Sequence, residues 1–112
     1  MKNTKITYDD VEEYEVLFSL VPSFLLKKFV RRKTNLVSKF RPKIQSYLDN
    51  LTSEQKVKLD IILHCDIDEL QEIMHESYIK SNKKQYKILA DPSSKDFIRF
   101  NLDELRKMLE ED

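Results

Sequence analysis

Glycine is missing from all 112 residues, where a chain of this length usually carries about eight. Glycine lets backbone approach a phosphate closely and take positive φ cheaply. Its absence excludes a P-loop, a dinucleotide-binding fingerprint and a kinase-type phosphate loop. It also excludes Asn-Gly hairpin turns. Helices must therefore end at other residues, and Pro22, Asn35, Asn50 and Asn82 are the candidates.

Cysteine is almost missing. Cys65 stands alone, so no internal disulfide can form, and a single thiol suits a reducing compartment such as the cytoplasm. Long apolar runs are missing too. The longest uncharged stretch, Val16 to Leu26, has eleven residues and is broken by Pro22, whereas a membrane span needs about twenty. It reads as two buried helix ends meeting at a corner. Acidic residues follow the first two lysines, where a secretory signal would place its apolar stretch.

Acidic residues are in turn missing from 16 to 48. That stretch holds Lys27, Lys28, Arg31, Arg32, Lys33, Lys39, Arg41 and Lys43, a net of +8. Residues 1 to 22 carry −3, 49 to 79 carry −6, 80 to 100 carry +4 and 101 to 112 carry −3, so a formal net charge of zero hides strong segregation. Two readings follow. Basic and acidic helices pack side by side and neutralise one another, or the basic stretches face an anionic partner.

What is present is helical periodicity. Thr7 caps a helix over Tyr8 to Leu20 that buries Val11, Tyr14, Phe18 and Val21. Ser23 opens a second helix with Leu26, Phe29 and Val30 on one face and Lys27, Lys28, Arg31 and Arg32 on the other. Pro42 sits in the first turn of a helix burying Ile44, Tyr47 and Leu48. Thr52 and Gln55 form a capping box before a helix that buries Val57, Leu59, Ile62 and Leu63. Asp66 caps the next, with Ile67, Leu70, Ile73 and Met74 inward.

After Asn82 the pattern changes. Tyr86, Ile88 and Ala90 alternate with Gln85, Lys87 and Leu89, Asp91-Pro92-Ser93-Ser94 signals a type I turn, and Phe97, Ile98 and Phe100 are β-formers. The reading is a short hairpin, 85 to 90 against 96 to 100, with Asn101 capping a final helix through Leu102, Leu105 and Leu109. The fold class expected is mainly α: one compact domain over 1–112, a bundle of five or six helices with one short C-terminal β-hairpin. Its core positions suffice without metal.

From Thr52 onward the order of helix, helix, basic segment, hairpin, helix is that of a winged helix-turn-helix, so 52–112 forms a winged-helix-like subregion in that reading. If 77 to 88 is helical, Lys80, Lys83, Lys84 and Lys87 share one face, with Asn82 and Gln85 beside it.

Enzymatic chemistry finds little. Glu72 and His75 have the Glu-x-x-His spacing of di-iron bundles, but no second pair exists among only two histidines. Cys65 beside His64, or with His75, is the sole nucleophile candidate, and Asp66, Asp68 and Glu69 disfavour its thiolate.

The leading function is a non-enzymatic interaction or regulatory module that binds a macromolecule, with no catalytic residue, cofactor or metal assigned. A winged-helix-like nucleic-acid binder comes second, and a small metal- or thiol-dependent enzyme third. The contact residues for a protein partner or nucleic acid are Lys27, Lys28, Arg31, Arg32, Lys80, Lys83, Lys84 and Lys87. A membrane surface is disfavoured because no lipidation motif accompanies the basic helix. A homo-oligomer is compatible with the sequence.

Overall fold

The computed structural model describes residues 6–110. They fold into α1 (Tyr8–Glu13), α2 (Glu15–Phe18), α3 (Ser23–Arg31), α4 (Leu36–Lys39), α5 (Arg41–Asp49), α6 (Ser53–Leu63), α7 (Ile67–Ser81), α8 (Lys84–Ala90) and α9 (Lys95–Glu110), with a 3-10 turn at Pro92–Ser94. No strand occurs among the described residues. None of these helices is long and apolar enough to cross a membrane.

The N-terminal caps follow the sequence. Thr7 accepts from the Asp10 amide while Asp10 reaches back to the Thr7 amide. Thr52 and Gln55 make the same reciprocal pair. Each satisfies two of the amides that a helix start leaves open. The first helix breaks at Tyr14, whose backbone (φ −108°, ψ 27°) leaves the helical range. Its inward residues Val11, Tyr14, Phe18 and Val21 are nonetheless all buried.

The expected hairpin is not formed. Residues 84 to 90 are α8, and 95 to 110 are one continuous helix. Asp91 accepts from the Ser93 amide at 2.9 Å and the Ser93 hydroxyl at 2.7 Å, which makes it a helix cap, with Pro92 in the first turn. A type I turn and the first turn of a helix share their dihedrals, so Asp-Pro-Ser-Ser serves either. Burial selects the helix. Tyr86 and Leu89 are buried three residues apart, and Phe97, Ile98, Leu102, Leu105 and Met108 continue the period of a single helix.

Asn101 is therefore no cap of its own helix. It lies mid-α9 and serves another. Its Oδ1 accepts from the Leu36 amide at 2.8 Å and the Val37 amide at 3.2 Å. Its Nδ2 donates to the Thr34 carbonyl at 3.2 Å and the Phe97 carbonyl at 3.0 Å. The start of α4 is thus held by α9. Gln71 does the same for α8, donating to the carbonyls of Leu89 at 3.0 Å and Asp91 at 2.8 Å. Asn82 closes α7 in the left-handed region (φ 62°), as the missing glycine requires. Lys33 does likewise after α3 (φ 53°), which the sequence did not announce. Asn35 opens α4 rather than closing α3, accepting from the Ser38 amide.

The helices share one core that includes Leu26, Ile44, Leu59, Leu70, Met74 and Leu105. α8 packs against α7 and against α3, α1 against α6 and α7, and α9 against α4, α6 and α7. Val57, expected inside, is 63% exposed. Inside the core, Tyr14 donates its hydroxyl to the Gln55 carbonyl. Burial and the nearby Glu13 carboxylate push its pKa from 10.0 up to about 12. Burial also raises Tyr47 and Tyr86.

Two outcomes are expected. Asn101→Leu keeps the volume but strands backbone groups on α4, and should cost about 2–4 kcal/mol in urea unfolding. The buried tyrosines can fold only as neutral phenols. Their contribution is complete below the ordinary phenol pKa of 10.0 and is lost as pH rises through about 12. Unfolding monitored by tyrosinate absorbance should show stability falling over that window; a flat profile there would contradict the burial.

Candidate functional site

The eight expected contact residues are all exposed, but the fold treats the two groups differently. Lys80 belongs to α7, whereas Lys84 and Lys87 belong to α8, and the left-handed Asn82 lies between. They do not form one helix face. The Lys80 ammonium stands over the Tyr8 ring at 4.5 Å from its centroid. Lys83 pairs with Glu15. Lys87 lies 5.8 Å from the Tyr78 ring centroid. Of this quartet, Lys84 alone has no such partner among the described residues. With Lys58 pairing to Glu13 at 3.2 Å, two of the acids of α1 and α2 meet a base. Within the second basic segment Lys83 is an internal counterion, and Lys80 and Lys87 lie on rings of the fold.

The segment from 27 to 32 is different. α3 is anchored by buried Leu26, with Leu25, Phe29 and Val30 half-buried. That orientation turns Phe24, Lys27, Lys28 and Arg31 outward at spacings of three, four and seven, one exposed stripe. Arg32 follows at the helix end. Lys27, Lys28, Arg31 and Arg32 have no acidic partner among the described residues. Lys33 reaches only Asp96 at 3.6 Å, between side chains roughly two-thirds exposed. Lys39, on Phe29, and Lys43 extend the positive surface. Phe24 is 73% exposed within it.

The wing of the winged-helix reading falls away with the hairpin, since Asp91 to Lys95 is a 3-10 turn leading into α9. The acidic α7 does not cover α3; α8 packs against both.

No group of three His, Cys, Asp or Glu side chains among the described residues could hold a metal. His64 is exposed and turned to its own helix, with Nδ1 3.0 Å from the Asp60 carbonyl oxygen. Cys65 is half-buried, and its thiol donates to the Ile62 carbonyl at 3.1 Å. An apolar cavity of about 40 Å³ lies between α2, α3, α4 and α9, lined by Leu17, Leu26, Val37, Phe97 and Leu102 among others. Ligand pockets run to about 300 Å³ or more, and Asn101, its polar lining, is already spent on backbone groups.

Comparisons with family models, with curated proteins and with solved structures return no match to this chain.

The contrast between the two segments has a direct test. Lys83→Glu sets a like charge against Glu15 and should lower stability by about 1 kcal/mol. Neutralising Lys27, Lys28 and Arg31 together to Gln should leave the thermal midpoint almost unchanged, because no ion pair is lost and the relieved like-charge repulsion offsets the lost dipole contribution. The reverse ranking in thermal melts would place the internal counterions in the wrong segment.

Proposed function

We propose that the protein is a non-enzymatic binding module whose contact surface for an anionic macromolecule is the outer face of α3. The observation that supports this is the exposed stripe Phe24, Lys27, Lys28, Arg31, continued by Arg32, with no acidic partner among the described residues for its four cations. Elsewhere in the fold, Lys33, Lys58, Lys83, Lys95, Arg99, Arg106 and Lys107 meet carboxylates and Lys39, Lys80 and Lys87 meet rings. On α3 four cations lie within two turns of helix around one exposed aromatic. Such a surface attracts carboxylates or phosphates over a distance set by salt. Phe24 adds apolar area that a partner would cover. The eight-residue contact set contracts accordingly. Lys27, Lys28, Arg31 and Arg32 carry the reading, and Lys80, Lys83 and Lys87 act within the fold.

Fluorescence anisotropy with two polyanions, labelled poly-glutamate and a labelled DNA duplex, tests it at two salt concentrations. Native protein should bind at least one of them at low salt. The Lys27→Glu/Lys28→Glu/Arg31→Glu variant should lose at least about tenfold in affinity. For DNA, the slope of log affinity against log salt should flatten by about one unit per contact removed. Binding of neither polyanion, or binding indifferent to the triple reversal, would overturn the reading.

A further inference from the structure

The chain carries the complement of its own basic stripe. On the solvent side of α7, Glu72, Glu76 and Ile79 lie exposed at spacings of four and seven. Ile79 is 67% exposed, the counterpart of Phe24 on α3. Glu72 and Glu76 have no cationic partner among the described residues. Lys80 and Lys83, the bases nearest this face in sequence, are turned to Tyr8 and Glu15. The acidic stripe is therefore as unpaired as the basic one.

The order along the two helices matches when they run antiparallel. From Phe24 toward the C-terminus, α3 presents an apolar side chain, then Lys27 and Lys28, then Arg31. From Ile79 toward the N-terminus, α7 presents an apolar side chain, then Glu76, then Glu72. Aligning Phe24 with Ile79 brings Lys27 and Lys28 to Glu76, and Arg31 to Glu72, over about 10 Å of helix. The formal net charge of zero removes the overall repulsion that keeps strongly charged proteins apart. Phosphate of a nucleic acid would gain from the basic face but meet the exposed acids of α1 and α7 elsewhere on the same molecule.

We infer that the partner of the α3 face is a second copy of this chain, docked through the outer face of α7. This rests on the reading of α3 as a contact surface. The contact joins two different patches, so when it is made head to tail it is heterologous, and the pair keeps one basic and one acidic face free for further neighbours. Assembly is thus open-ended or ring-closing, and it is driven by exposed charges that salt screens.

Sedimentation velocity on the full chain tests this through two variants, Lys27→Glu/Lys28→Glu/Arg31→Glu and Glu72→Lys/Glu76→Lys. The native chain should give a weight-average mass above that of one chain as it is concentrated toward about 1 mM at low salt, a range suited to a small interface. It should return to the monomer mass at about 1 M salt, where the screening length is about 3 Å. Each variant alone should stay monomeric, because its two faces then carry the same sign. Mixed in equal amounts, the variants should associate again, since each face of one now meets its opposite on the other. If a reversed variant fails to fold by circular dichroism, Phe24→Ser and Ile79→Ser read the same interface, each reducing association of the native-charge chain.

Association that persists in both variants would overturn the proposed pairing. So would a native chain that stays monomeric throughout. In that second case, polyanion binding that the triple reversal abolishes would leave the α3 reading standing, with its partner elsewhere. Absence of both would remove the α3 reading as well.

Discussion

The side-chain amide of Asn101 fixes the start of α4 to the middle of α9. From the middle of α9 it bonds four backbone groups: two amides at the start of α4, the Thr34 carbonyl before it, and a carbonyl of its own helix. The three partners at the start of α4 are more than sixty residues away in sequence. A chain without glycine cannot close its helices by local left-handed turns at will. This one closes several with side chains borrowed from other helices. Gln71 satisfies the end of α8. Arg106 donates to the Leu63 carbonyl at 2.9 Å, at the end of α6. Ser94 donates to the Ile88 carbonyl at 2.7 Å. Helix ends and tertiary packing thereby become one problem, and the orphan groups that short helices multiply are met from outside.

That coupling decides what could be read from the sequence. Thr7, Thr52 and Asp66 were legible because an N-terminal cap and its helix lie within four residues. The inward residues of α1 to α7 were mostly legible from their period. Val57 was not, since its neighbour in sequence says nothing about which helix faces it. The hairpin was misread for a different reason. Asp91-Pro92-Ser93-Ser94 permits both a turn and a helix start, and Phe97 to Phe100 have β-branched and aromatic chemistry that suits strands. The period running on through Leu102, Leu105 and Met108 was the better signal, and reading Asn101 as a cap hid it. An asparagine in mid-helix is legible only once the helix it serves is known.

The charge map shows a similar division. Segregation along the chain was plain, but which segment meets its counterions inside the fold is a fact about packing. α1 lies on α6 and α7, so Lys58 and Lys80 reach it, and Lys83, just after α7, reaches Glu15 of α2. α3 lies on α8, and no carboxylate meets Lys27, Lys28, Arg31 or Arg32 among the described residues. The sequence treated the two basic segments alike; the fold does not.

The α3 stripe has no source within the fold that would maintain it. Lys27 with Arg31, and Lys28 with Arg32, are like charges four apart, each pair destabilising a helix by about 0.2–0.5 kcal/mol. Their position in the second half of α3 returns about as much through the helix dipole, roughly 0.3–1 kcal/mol. The balance is near zero, so neither helix stability nor an internal ion pair accounts for four cations there. Leu26 alone anchors the buried side of the helix fully, and neutral polar residues would suit the outer side equally well. The same holds for Glu72 and Glu76 four apart on α7, which repel one another to a similar degree. Two stripes of opposite sign, each without an internal partner and each beside an exposed large apolar side chain, are features the monomer does not need. They become favourable together when something outside the monomer supplies the opposite charge.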